Sequence, residues 1–274
     1  MKNVKFISLV LAFIIAAVSL FSCISLPGNK PETEPTKTEL SDLDHIKEKG
    51  TLVIGITDYA PMNFIDKNGE WAGFDTEFAY LVADELGVEV EFVEIDWNAK
   101  WSLLQNKKID CVWNGMTLTD EALEKASCTN TYIHNAQVVV TKTENAEKYV
   151  DAESLLDVTV AVEAGSAGED IALAANLKYT ELEYQSDAIN AVVSGAADAC
   201  IIDITIANAV TGEGAEYESL ASTFSLSEEE YAIACRKGSD LTEEINSIMA
   251  ELIADGTLEK IAAKYELTLV ADTQ

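Results

Sequence analysis

The chain has 274 residues, 48% of them hydrophobic and 24% charged, a globular balance with room for two medium-sized lobes. Its formal net charge of −30 excludes nucleic acid as a partner on electrostatic grounds. Among 18 basic residues there is one arginine, Arg236, so the usual fork for a carboxylate is scarce.

Lys2 and Lys5 precede an uncharged apolar run from Phe6 to Ser22, short for a membrane-spanning helix and suited to export. Leu20-Phe21-Ser22-Cys23 resembles a lipoprotein signal: residues 1–22 are removed and the Cys23 sulfur carries lipid, which anchors the chain outside the cytoplasm, on the cell surface or in the periplasm. A plain secretory signal with an incidental cysteine is the alternative. Residues 23–40 hold Pro27, Pro31 and Pro35 among polar residues, a composition that buries no core and reads as a tether. The other cysteines, Cys111, Cys128, Cys200 and Cys235, sit in apolar contexts, and Cys111–Cys128 is the expected pair if a disulfide forms. With His45 and His134 isolated and no CxxC, neither a metal nor a cofactor is expected.

Leu52–Thr57 reads as a strand that turns at Asp58-Tyr59-Ala60-Pro61, and Asn68-Gly69 marks a hairpin. Asp75 reads as the cap of a helix from Thr76 to Leu86, stopped by Gly87. A strand over Val88–Ile95, then Trp97, leads to a helix over Asn98–Asn106. Ile109–Ala122 follows: an apolar strand to Trp113, a break at Asn114-Gly115, hydroxyls at Thr117 and Thr119, and a helix start at Asp120. Free N–H groups and a positive dipole end make such a joint a seat for a carboxylate, or else an ordinary strand–turn–helix joint.

A strand over Ala136–Thr141 opens a second set. Val158–Val162 runs into Gly165-Ser166-Ala167-Gly168-Glu169 and a helix to Asn176, repeating the strand, glycine turn and hydroxyl. Ser166 with Glu169 also fits a capping box. Strands over Tyr179–Glu183 and Ala199–Ile202 flank a helix over Asp187–Val193, and Asp203 follows as either a helix cap or a partner for a cation. A strand over Tyr231–Cys235 and helices over Leu241–Ala254 and Leu258–Tyr265 close the chain. The alternation predicts an α/β fold with mostly parallel sheets, whose ligands lie beyond the carboxyl ends of the strands. Tyr59, Trp97 and the Asn114–Thr119 turn all fall there.

The ordered runs Gly55–Pro61, Asn68–Asp75, I-D-C-V-W-N-G-M-T-L-T-D-E, A-V-E-A-G-S-A-G and A-D-A-C-I-I-D, spread over residues 41–268, resemble the periplasmic-type solute-binding proteins of polar amino-acid ABC importers. The resemblance implies a two-lobed periplasmic-binding-protein fold, with two crossing strands joining lobe 1 (residues 41–136 and 232–274) to lobe 2 (137–231). It implies no catalytic residues. It implies a monomer that passes an amino acid or close analogue to a membrane ABC permease.

Carried onto matching positions, it has Tyr59 and Trp97 sandwich the ligand, or else pack the lobes. The Asn114-Gly115 turn and Thr117 hold an α-carboxylate, Gly165 and Ser166 reach in from the other lobe, and Asp203 pairs with an α-ammonium. Asp58 either lines the cleft or faces solvent. Where the pattern has an arginine for the carboxylate, this chain has Ala122, and Lys100 or Lys125 replaces only its charge. Either N–H groups and threonines hold the carboxylate alone, or the ligand has none. Two other functions compete: a cyclohexadienyl-type dehydratase with Glu163 and Asp203 as its acids, and a ligand-presenting partner of a chemoreceptor.

Overall fold

The computed structural model describes residues 40–212 and 214–270; Cys23, the export segment and nearly all of the tether lie outside the described residues. The first element is a helix that the sequence reading left out, Asp42–Lys49. The Ser41 hydroxyl caps it, with acids in its first turn and lysines in its last. Among the described residues, no helix is long and apolar enough to cross a membrane.

Two five-stranded sheets carry the rest. The first orders its strands Glu89–Glu94, Thr51–Ile56, Cys111–Val112, Ala234–Arg236, Ala126–Cys128; the second orders Lys178–Leu182, Thr159–Glu163, Ala199–Asp203, Gln137–Lys142, Leu220–Ser225. Helices flank both sheets, as expected. Each sheet is evenly mixed rather than mostly parallel, with two parallel and two antiparallel ladders. The cause is one strand in each, Ala234–Arg236 and Gln137–Lys142, that arrives from the crossing segments and runs against its neighbours.

Those segments form their own ribbon. Ile133–Asn135 pairs antiparallel with Glu229–Tyr231, placing Asn135 opposite Glu229 and Ile133 opposite Tyr231. The expected single strand Tyr231–Cys235 is therefore two, one half in the ribbon and the other in the first sheet. The central strands are buried along their length, with Val138, Val139, Val140, Ile201 and Ile202 at 1% exposure or less, as strands covered on both faces must be.

Two further expectations are corrected. Asp75 does not cap its helix: the helix is Phe74–Leu86 and begins at Gly73. Gly73 has φ 120°, and a Cβ there would stand 2.2 Å from the Met62 carbonyl oxygen, so only glycine fits. The start moves back, and Asp75 turns inward, fully buried. Nor do Cys111 and Cys128 pair; all four described cysteines are free. Cys111 lies opposite Cys235 and Cys128 opposite Ala234, so a whole strand separates the expected partners.

Arg236 is structural. Its Nε donates to Asp42 Oδ2 at 2.9 Å, and its other nitrogens to the Ile109 carbonyl at 2.6 Å and Asp110 Oδ1 at 3.2 Å. It thus ties the first helix to the middle of the first sheet. Truncation would remove three hydrogen bonds but leave buried Asp110 paired with Lys49 Nζ at 2.5 Å and the Val53 N–H at 2.9 Å. Arg236→Ala should therefore cost about 1.5–3 kcal/mol in urea denaturation.

Candidate functional site

A narrow cavity of about 40 Å³ lies where strand ends from the two sheets face one another, room for about three water molecules. The expected residues Asp58, Tyr59, Trp97, Asn114, Gly115, Thr117, Gly165, Ser166 and Asp203 all line it. The two sides touch: Lys100 Nζ, on the first side, donates to the Gly165 carbonyl at 2.8 Å.

The glycine turns owe their shape to close approach. Gly115 has φ 53°, and a Cβ on it would stand 2.6 Å from the Tyr59 ring. Gly165 has φ 71°, and a Cβ there would press Asn98 at 3.1 Å, across the cleft. Their N–H groups are engaged within the protein. Gly115 N–H donates to Asp75 Oδ2 at 2.7 Å, and Gly165 N–H to Glu169 Oε2 at 2.6 Å. The Ser166 hydroxyl accepts from Glu169 N at 3.2 Å, so the serine caps its helix, but the expected box stays open because the Glu169 side chain takes Gly165 N–H instead of Ser166 N–H. Asn114 turns its amide inward, onto Thr57 N, Thr57 O and Asn63 Oδ1. Thr119 caps the helix Asp120–Lys125 through Ala122 N at 3.1 Å.

Asp203 ends its strand and precedes the helix Ile204–Val210 but makes no cap bond. Its Oδ1 accepts from Asn135 Nδ2 at 2.5 Å and Gln137 Nε2 at 2.6 Å, and Gln185 Nε2 donates to its Oδ2. The same two amides also donate to Glu229 Oε1, at 2.6 and 2.8 Å, and the Thr117 hydroxyl joins them at 2.8 Å. Burial, reinforced by the Glu229 charge, pushes the Asp203 carboxyl above its ordinary range. Tyr59 is buried, its hydroxyl 2.5 Å from both Thr205 Oγ1 and Tyr231 Oη, so its ring face rather than its oxygen is left for contact. Asp58 is solvent-exposed and still borders the cavity.

Sequence reasoning missed several lining residues, Trp101, Glu121, Gln137, Asp170 and Gln185 among them. Gln137 had a signal of a kind, since it opens the strand that pairs with Asp203. Lys100, weighed only as a replacement charge, is 5% exposed, with its ammonium 4.9 Å from the Trp97 ring centre and 5.2 Å from that of Trp101. Burial lowers its pKa against the pull of Glu121, Glu163 and Asp170. Lys125 pairs instead with exposed Glu124.

Burial, with the charge of Asp203 next, raises Glu163 to about 8, and burial alone outweighs the Gly115 and Tyr132 hydrogen bonds to bring Asp75 to about 7. Unfolded, these carboxyls return to ordinary values near 4, so between about pH 4 and pH 8 the folded chain binds more protons than the unfolded chain. Its stability therefore falls as pH rises through that window. The ligand-free melting temperature should drop from pH 5 to pH 8, a loss on the order of 6 kcal/mol from these two groups, and Asp75→Asn should flatten part of the slope.

Residues 52–268 match the family described as bacterial extracellular solute-binding proteins, family 3. The L-cystine-binding protein TcyJ of Escherichia coli K12 is 29% identical over 81% of this chain and 85% of its own. Among solved structures, a mutant of ArgBP from T. maritima superposes with a TM-score of 0.77 at 33% identity, covering 82% of this chain and 99% of that one. An ancestral amino acid-binding protein, described as a precursor of cyclohexadienyl dehydratase, gives 0.75 at 35% identity over 82% and 99%.

Proposed function

The chain belongs to the bacterial extracellular solute-binding proteins, family 3, and from that premise we propose that it captures an amino acid or close analogue between two closing lobes and passes it to an ABC permease. Binding, not catalysis, is what its relatives are named for, and the family description fits a place outside the cytoplasm. The lobes of this reading are residues 41–136 with 232–274, and residues 137–231. The lipid is on Cys23.

One observation carries the reading. Nine residues expected at a ligand from five separate stretches line a single cavity between the two sheets. Tyr59 and Trp97 supply rigid apolar area at little conformational cost. Asp203 presents a carboxylate oxygen at a strand end, braced by three amides, to a ligand ammonium. Closure is driven by contacts that exist only when both lobes reach the ligand, which makes the closed form the one a permease recognises. The dehydratase reading gains nothing from the lining, which has no arginine for a dianionic acid.

Isothermal calorimetry against polar amino acids, dipeptides and amines should find at least one tight binder; silence across that panel sinks the reading. Asp203→Ala, with its fold checked by circular dichroism, should weaken that binder by about 2 kcal/mol or more.

A further inference from the structure

The cavity is one-sided in charge. Five carboxylates line it, exposed Asp58, Glu121 and Asp170 and buried Glu163 and Asp203, against the single ammonium of Lys100. Glu121 and Asp170 come from opposite sides of the cleft, and each belongs to the first turn of a helix whose positive end would otherwise draw an anion. Those two helices carry Asp120 and Glu121, and Glu169 and Asp170, in their first turns, so their dipoles are already compensated. The glycine N–H groups beside them are taken as well, Gly115 by Asp75 and Gly165 by Glu169. Ala122 stands, fully buried, where a guanidinium would be needed. Both glycine N–H groups and both helix first turns are thus met by carboxylates of the protein itself.

What the cavity offers instead is a place for positive charge. Glu121 stands near Asp170 across the cavity, and its like charge raises the Asp170 carboxyl after burial has done so. A cation between them turns that repulsion into attraction. The Lys100 ammonium marks such a place: it lies over two indole rings and donates to the carbonyls of Trp97 and Gly165.

We propose that the ligand of this cleft is a cationic amine or guanidine without a free carboxylate, recognised by the acid lining. This rests on the cleft being the solute site, and it narrows the class of solute. A ligand carboxylate would enter with no arginine, no free glycine N–H and an acid lining around it, in which exposed Asp58, Glu121 and Asp170 carry the charge while burial pushes Glu163 and Asp203 toward the neutral form, so removing it should tighten binding about tenfold or more.

The test compares matched pairs on the intact mature protein by calorimetry: agmatine against L-arginine, cadaverine against L-lysine, putrescine against L-ornithine. The proposal expects at least one decarboxylated member to bind about tenfold tighter than its amino acid. Equal or tighter binding of the amino acid in every pair that binds overturns it while leaving solute capture intact, and points to Lys100 as the reader of the carboxylate. Tight binding of a neutral amino acid with none of the amines has the same consequence. Silence from the pairs and from the full amino-acid panel overturns both readings.

Discussion

Two carboxylates, Asp203 buried and Glu229 half-buried, share their hydrogen-bond donors and set the geometry around which the rest is arranged. Asp203 and Glu229 would repel at this distance, and they are held together because the Asn135 and Gln137 amides each donate to both. The cluster draws on every part of the molecule that must stay in register. Asn135 and Glu229 face one another in the crossing ribbon, Gln137 and Asp203 pair in the second sheet, and Thr117 reaches in from the first. A buried network of this kind is costly when incomplete and rigid when satisfied. It fixes the floor of the cleft.

The same preference for acids explains the absent arginine. Arg236 is committed beneath the first sheet, between Asp42 and Asp110, and the turns that would pair with a ligand anion are closed by Asp75 and Glu169. Asp75 is the sharpest case. Its carboxylate holds the Gly115 turn in the shape that lets Tyr59 approach, while Tyr132 donates to its other oxygen at 2.8 Å. The residue that shapes the turn is also the one that uses up its donor.

Much of this was legible in the sequence, for identifiable reasons. Strands followed by glycine, hydroxyl and helix announced both turns, and the residues placed there do converge. What the sequence hid was the destination of side chains. Asp75 looked like a cap because acids before an apolar helix usually are; only the tight contact of Gly73 with Met62 moves the helix start and turns the acid inward. The Cys111–Cys128 pairing failed because sequence proximity says nothing about Ala234–Arg236 entering between their strands. Glu121 and Asp170 carry no signal of their own in the sequence, and their shared frontage on the cavity depends on how two distant turns face each other.

The order of strands in the two sheets has a consequence for how the chain is made. All five strands of the second sheet lie within residues 137–225, one unbroken stretch. The first sheet is different: Ala234–Arg236 occupies its interior, between Cys111–Val112 and Ala126–Cys128. During synthesis that position stays empty until the second sheet's sequence has already passed, and the Arg236 ties to Asp42 and Asp110 close last. Long-range pairing of this kind is slow. The half that emerges first is therefore the half that finishes last, and a chain cut after residue 230 would keep a complete second sheet beside a first sheet missing its interior strand.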